Sequence, residues 1–156
     1  MVIRKMQEKD LEAVSAICMD SFLRSVAGTL SDEGITTFSN IAVRDAFLDR
    51  MKGDNLMLVA EDNENIEGVI ELKEGRHVAM LFIRPERQKS GIGRKLLSSA
   101  LNHAKVETVT VSASLSSVTA YEKYGFECKG KVGESAGLVY QPMELKLNKA
   151  MHATSE

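Results

Sequence analysis

Apolar residues recur along this chain with two different periods. Val2-Ile3-Arg4 reads as a short first strand. Asp10 has the character of an N-cap, and Leu11, Val14, Ile17, Cys18 and Phe22 follow it near a 3.6-residue period, predicting a helix to about Arg24. Gly28 and Thr29 interrupt that pattern. A second helix starts after Ser31 or Asp32, and a third covers Val43 to Met51, with Val43, Phe47 and Met51 on one stripe. Gly53-Asp54-Asn55 ends it. Leu56 to Ala60 and Ile66 to Leu72 read as strands joined by a polar turn at Asp62 to Asn65, and Glu74-Gly75 turns the chain again. Val78 to Ile83 is apolar throughout, which suits a mid-sheet strand covered on both faces. The polar loop Arg84 to Gly91 opens a strong amphipathic helix, Ile92 to Ala104, whose stripe is Ile92, Leu96, Leu97, Ala100, Leu101 and Ala104. Thr108 to Val111 is a β-branched strand. Ser116 caps a short helix to about Tyr124, and Gly125-Phe126 leads into a final strand pair, about 126–133 and 138–147. The order β-α-α-α-β-β-β-α-β-α-β-β mixes hairpins with strand–helix crossovers, so the fold class is α/β-like (α+β) with a mixed sheet. No Pro-, Gly- or Ser-rich linker divides the chain, so residues 1–147 read as a single domain and 148–156 as a frayed tail.

Composition narrows the function classes. A 156-residue chain that is 44% hydrophobic supports a conventional core, burying roughly 68–70% of its unfolded surface. Twenty basic residues against 22 acidic ones give a formal charge of −2, a balance that implies no nucleic-acid face. Cys18 and Cys128 are too few for a disulfide framework or a metal-ligand cluster, and no metal is expected. No apolar run approaches the roughly 18 residues of a membrane span, and the opening Met-Val-Ile-Arg-Lys lacks a secretory h-region. The expectation is a reduced, soluble, cytoplasmic protein with no membrane partner.

The segment Gln88-Lys89-Ser90-Gly91-Ile92-Gly93-Arg94 carries the most chemistry. It joins a buried strand to a helix N-terminus, where free N–H groups and the helix dipole favour a phosphate. Gly91 and Gly93 let the backbone approach an anion closely, and Lys89 and Arg94 add positive charge. A dinucleotide fingerprint would need glycine where Leu96 stands, and the G-x-x-x-x-G-K-[ST] pattern is absent. The physical expectation is a pyrophosphate site; a plain glycine-assisted turn into a helix is the other reading of the loop.

With Leu81-Phe82-Ile83-Arg84-Pro85-Glu86-Arg87 before it, the Q-x-x-G-x-G loop resembles the acetyl-CoA loop of the GNAT superfamily of N-acetyltransferases. Ala120-Tyr121-Glu122-Lys123-Tyr124-Gly125-Phe126-Glu127 is similar to that family's second signature, Y-E-K-x-G-F. The resemblance covers roughly residues 1–147 and implies a mostly antiparallel sheet of six to seven strands flanked by four to five helices. It also implies that backbone groups of Leu81 and Ile83 bind the pantetheine arm as an added strand. The pyrophosphate would lie on the loop of Gln88, Lys89, Ser90, Gly91, Ile92, Gly93 and Arg94.

Tyr121 matches the family's general acid, which protonates the departing CoA thiolate; a phenol near pKa 10 facing a thiol near 8.5 can do so. Many members carry an asparagine seven residues before that tyrosine, and here Ser114 stands in its place, able to make one hydrogen bond or, with Ser116 and Ser117, to serve the helix start. An amine near pKa 10.4 must lose a proton before it attacks. The position of the base in the histone-acetylating branch falls on His77, which strand alternation puts on one face with Ala79, Leu81 and Ile83. His77 could equally be a structural hydrogen-bonding residue, and Glu71, Glu33 or a water chain are the other candidate bases. The expected activity is direct acetyl transfer in a ternary complex from acetyl-CoA to a small-molecule or peptide amine, and the alternative is a non-catalytic acyl-CoA-binding module. Segments 20–40 and 133–140 would shape the acceptor pocket. Exposed strand edges leave room for a homodimer.

Overall fold

The computed structural model describes residues 1–25 and 30–147; the expected helix break at Gly28 and Thr29 and the expected tail 148–156 lie outside the described residues. The chain opens with β1 (Val2–Lys5) and a 3-10 turn at Glu8–Asp10. Three helices follow: α1 (Leu11–Ser25), α2 (Asp32–Ala42) and α3 (Arg44–Met51). An antiparallel run of β2 (Asn55–Asp62), β3 (Asn65–Lys73) and β4 (His77–Ile83) leads through a loop into α4 (Ile92–Leu101) and β5 (Thr108–Ala113). The chain then forms α5 (Val118–Lys123), β6 (Glu127–Cys128), β7 (Gly133–Ser135) and β8 (Leu138–Lys146). The strands line up as β1-β2-β3-β4-β5-β8-β6, with β7 paired to β8. Every pairing is antiparallel except β4 with β5.

The sheet has two apolar faces because most strands alternate. One face packs Leu58, Ile70, Leu72, Val78, Val109 and Val111 against Leu96, Leu97 and Ala100 of α4 and Tyr121 of α5. The other packs Met57, Val59, Val69 and Met80 against Leu11, Val14 and Phe22 of α1, Phe38 of α2 and Phe47 of α3. The helices form close to where the sequence period predicts them, but α4 stops at Leu101 rather than Ala104, and Ser116 does not cap α5: it lies within a 3-10 turn, Leu115–Ser117, whose last residue precedes the helix. Asp10 is not the N-cap, however. It is the last residue of the preceding 3-10 turn, where Gln7 N–H donates to its carboxylate at 2.8 Å and Arg4 grips both of its oxygens at 2.8 and 2.9 Å. That buried ion pair ties β1 to the start of α1.

The sheet departs from expectation in two places. It has eight strands rather than six to seven, and the expected strand 126–133 shrinks to Glu127–Cys128. Pro142 explains the shortening: its carbonyl accepts from Lys129 N–H at 2.8 Å, but it has no N–H to return, and Gly130 then turns the chain with φ +71°. The second departure is a bulge in β4. Glu71 pairs with Met80 and Leu72 with Val78, which leaves Ala79 without a partner on β3. Val78, Leu81 and Ile83 pack on the α4 face and Met80 and Phe82 on the other. His77 therefore does not share a face with Leu81 and Ile83; the extra residue shifts the phase and turns it to the side of α1–α3. Among the described residues no helix is long and apolar enough to cross a membrane.

Candidate active site

The parallel strands β4 and β5 pair only at their start, His77 with Thr110 and Val78 with Val111, and then part. Arg84 N–H donates to Glu67 C=O at 2.8 Å. In an antiparallel ladder that bond makes Gly68–Ile83 and Ile70–Leu81 the non-bonded pairs. Leu81 and Ile83 consequently turn their N–H and C=O groups away from β3 and into the gap. On the other bank, Thr110 N–H donates to Arg76 C=O at 3.0 Å, so Thr110 and, two residues on, Ser112 face β4. Opposite Ser112 on β8 stands Pro142, a position that asks β8 for no hydrogen bond. The gap is thus a slot edged by unpaired backbone groups, open to an extended chain with amide groups of its own. Ile83 C=O is already served by Ser21 Oγ at 3.0 Å and Gln88 Nε2 at 3.3 Å. The free groups on β4 are therefore the Ile83 N–H and both groups of Leu81.

The slot leads to the N-terminus of α4. Pro85–Arg87 form a 3-10 turn, and salt bridges from Arg84 and Arg87 to buried Glu67 (3.1 and 3.5 Å) fix its course. Ser90 Oγ bonds back to Arg87 C=O. Lys89 adopts φ +64° although it carries a side chain. Gly91 is the N-cap with φ +88°, and a Cβ there would meet nothing within 4 Å. Gln88, Lys89, Ser90 and Gly91 are exposed, and no acidic residue lies in the first turn of α4. These features fit an anion held by backbone N–H groups.

Gly93 has a different reason to be glycine. A Cβ on it would overlap the hydroxyl of Tyr124, with the ring Cζ at 3.5 Å and Ile83 Cγ1 at 3.8 Å. Arg94 is likewise not free toward the loop: its Nη2 donates to Lys123 C=O at 3.0 Å and its guanidinium lies 5.3 Å from the Tyr124 ring centre.

Tyr121 is buried on α5. Its ring meets Tyr124 edge-on at 6.0 Å and Phe126 at 5.3 Å. Burial, and then the neighbouring Tyr124, push its hydroxyl above the ordinary phenol value, so it keeps its proton at neutral pH. Tyr124 is raised as well, by burial, with Arg94 opposing. His77 lies at the closed end of the slot. Its Nδ1 is 2.8 Å from Thr110 Oγ1, and burial followed by Arg76 and Lys73 lowers its pKa, so the ring is neutral at pH 7. Tyr121 belongs to the α4 face and His77 to the opposite one. Ser114 follows β5 and bonds Ser117 Oγ at 2.7 Å and Ser116 Oγ at 3.3 Å, a serine cluster at the start of the turn into α5. Glu71 is buried on β3 and bound to Arg50 Nε at 2.9 Å, while Glu33 is exposed at the start of α2.

A bridge spans the slot on the His77 side. Phe22 stacks on Phe38 at 4.0 Å, and Phe38 meets Phe82 of β4 edge-on at 5.5 Å, which seats α2 over β4. The tip of the β7–β8 hairpin reaches α2 from the β8 side. Gly34 and Gly137 touch backbone to backbone, a Cβ on either would overlap the other, and Thr37 Oγ1 donates to Ala136 C=O at 2.7 Å. Of the residues expected to line an acceptor pocket, 26–29 lie outside the described residues.

Sequence reasoning missed the backbone of Ser112, the hydroxyl of Ser21 and the Gly34–Gly137 contact. Only Pro142, a proline inside a strand pattern, carried a signal for any of these. Among the described residues no three His, Cys, Asp or Glu side chains gather as a metal site.

The family model for an acetyltransferase (GNAT) domain matches residues 26–147. Among solved structures, a GCN5-related N-acetyltransferase from Rhodopseudomonas palustris superposes with a TM-score of 0.80 at 23% identity, covering 94% of this chain and 95% of that one. PaiA N-acetyltransferase from Thermoplasma acidophilum, in complex with coenzyme A, gives 0.75 at 26% identity over 93% and 98%. The putative acetyltransferase yncA from Salmonella typhimurium, with its cofactor acetyl-CoA, gives 0.72 at 22% identity over 96% and 95%. A comparison with curated protein sequences gives no match.

Proposed function

The chain belongs to the GNAT acetyltransferase family, and on that premise we propose that it moves an acetyl group from acetyl-CoA to an amine by direct transfer in a ternary complex. The observation that carries this reading is the slot between β4 and β5, edged by unpaired backbone and ending on the glycine N-cap of α4. A pantetheine arm has the amide groups to bond the Leu81 and Ile83 edge and that of Ser112. The pyrophosphate then falls at the N–H groups of Gly91, Ile92 and Gly93, with Gln88 and Ser90 bracing the loop and Lys89 adding charge. The complexes of PaiA with coenzyme A and of yncA with acetyl-CoA support the same donor.

The reaction forms an N–C bond at the thioester carbonyl and expels a thiolate. Tyr121, protonated and on the α4 face, donates to that sulfur. The amine approaches from the opposite face, where His77 is neutral and able to accept its proton. In the tautomer whose Nδ1–H donates to Thr110 Oγ1, 2.8 Å away, Nε2 of His77 holds the free lone pair that the amine proton needs. Because the bulge at Ala79 turns His77 away from the α4 face, acid and base flank the reacting centre from opposite sides. The acceptor is a small-molecule or peptide amine. Neither cysteine sits at the slot: Cys18 is buried against Met80 and Cys128 is on β6, which favours direct transfer over an acyl-cysteine.

Free-thiol release from acetyl-CoA across a panel of amines, amino acids, polyamines and peptides tests this. Release should depend on one acceptor class, and Tyr121→Phe should lower kcat by about 10²–10⁴ with the KM for acetyl-CoA retained. Acetyl-CoA binding without release for any amine, or full activity in Tyr121→Phe, would overturn it.

A further inference from the structure

We propose that Arg94 and Tyr124 are positioning residues, locking the first turn of α4 to the end of α5 and so setting where Tyr121 meets the bound acyl donor. The proposal rests on the acetyl-CoA reading above.

The helix that carries Tyr121 has only six residues and no side-chain N-cap bond. A helix this short does not hold itself; its ends must be held by what surrounds them. At its C-terminal end Tyr124 N–H returns to Ala120 and Tyr121 C=O, and Phe126 N–H also bonds Tyr121 C=O. The carbonyl of Lys123 turns outward to α4, where Arg94 donates to it at 3.0 Å. A cation at a helix C-terminus is the favourable sense of the dipole. The same guanidinium lies over the Tyr124 ring, whose hydroxyl fits into the space that Gly93 leaves. The Tyr124 ring in turn is one wall of the Tyr121 pocket, perpendicular to it at 6.0 Å. A continuous contact path therefore runs from the first turn of α4 to the acid: Gly93 and Arg94, then Tyr124 and Lys123, then Tyr121. Arg94 is exposed and near the loop, which invites a reading as an anion ligand, but its donor and its face are already engaged with α5.

A kinetic double-mutant cycle tests this, with CoA affinity read by calorimetry. Arg94→Met and Tyr124→Leu should each lower kcat about tenfold or more, with the KM for acetyl-CoA and the Kd for CoA within about twofold of wild type. In a Tyr121→Phe background the same substitutions should change kcat by less than about twofold, because the group they position is gone. Tyr124→Phe keeps the ring against Tyr121 and Arg94 and should retain nearly full kcat. A tenfold loss that persists in the Tyr121→Phe background would overturn the proposal. So would a loss of CoA affinity with kcat intact, since that makes Arg94 a ligand. If Tyr124→Leu fails to fold, Arg94→Met carries the cycle. Absence of CoA binding by the wild type would strike the acetyl-CoA reading itself, an outcome separate from either of these.

Discussion

Gly93→Ala separates a glycine kept for a protein contact from one kept for a ligand. In the wild type the new methyl runs into the Tyr124 hydroxyl, while its distances to Tyr124 Cζ (3.5 Å) and Ile83 Cγ1 (3.8 Å) are ordinary contacts. Overpacking of this kind costs about 1–3 kcal/mol, and replacing a helical glycine by alanine returns about 0.5–1 kcal/mol. The net expectation is a destabilisation of about 1–2 kcal/mol, which in a chain of this size lowers Tm by roughly 2–8 °C. In Tyr124→Phe the offending oxygen is absent and every remaining contact is unstrained. There Gly93→Ala should be neutral or stabilising by up to about 1 kcal/mol. Urea and thermal unfolding of the four proteins in the cycle give the coupling directly. Equal destabilisation by Gly93→Ala in both backgrounds would refute the reasoning and return Gly93 to the role of a close-approach glycine for an anion.

Gly91→Ala is the counterpart. Its φ of +88° makes a side chain cost about 1–2 kcal/mol with no clash, and calorimetry should show weakened CoA binding. Asp10→Asn should cost about 1.5–3 kcal/mol; Arg4 holds the Asp10 carboxyl below its usual range, so its contribution is full above about pH 4 and fades as pH falls through the depressed folded value. A wild-type-minus-mutant difference in denaturation midpoint that fails to shrink in acid would contradict this. His77, lowered chiefly by burial, should place the acid limb of the kcat/KM profile below about pH 6.5, and His77→Gln should abolish that limb and cut turnover about 10²–10⁴-fold.

Much of the fold is legible because helix and strand periods are strong. The stripe of Leu96, Leu97 and Ala100 becomes the buried face of α4, and the glycine-ended loop before it supplies the exposed N-cap. The bulge in β4 was not legible for a specific reason. Val78 to Ile83 is apolar at every position, so the phase of alternation leaves no mark in the sequence, and one unpaired residue inverts His77 unseen. Asp10 reads as an N-cap because its residue type suits both ends of a capping box; in the structure Gln7 N–H donates to its carboxylate and Arg4 of β1 grips it, which puts Asp10 at the third position of the turn. The sequence shows the charge of Arg94 but not the carbonyl of Lys123 to which it donates, so nothing in the loop pattern marks its contact with α5.

The Gly34–Gly137 contact has a consequence for heredity as well as structure. The two positions lie about a hundred residues apart, yet neither can acquire a Cβ while the other backbone stays in place. A lineage that replaces one glycine must let the hairpin lift from α2, and once it has lifted the second glycine loses its reason to persist. The pair should therefore be inherited or abandoned together across descendants, so that half-pairs are rare.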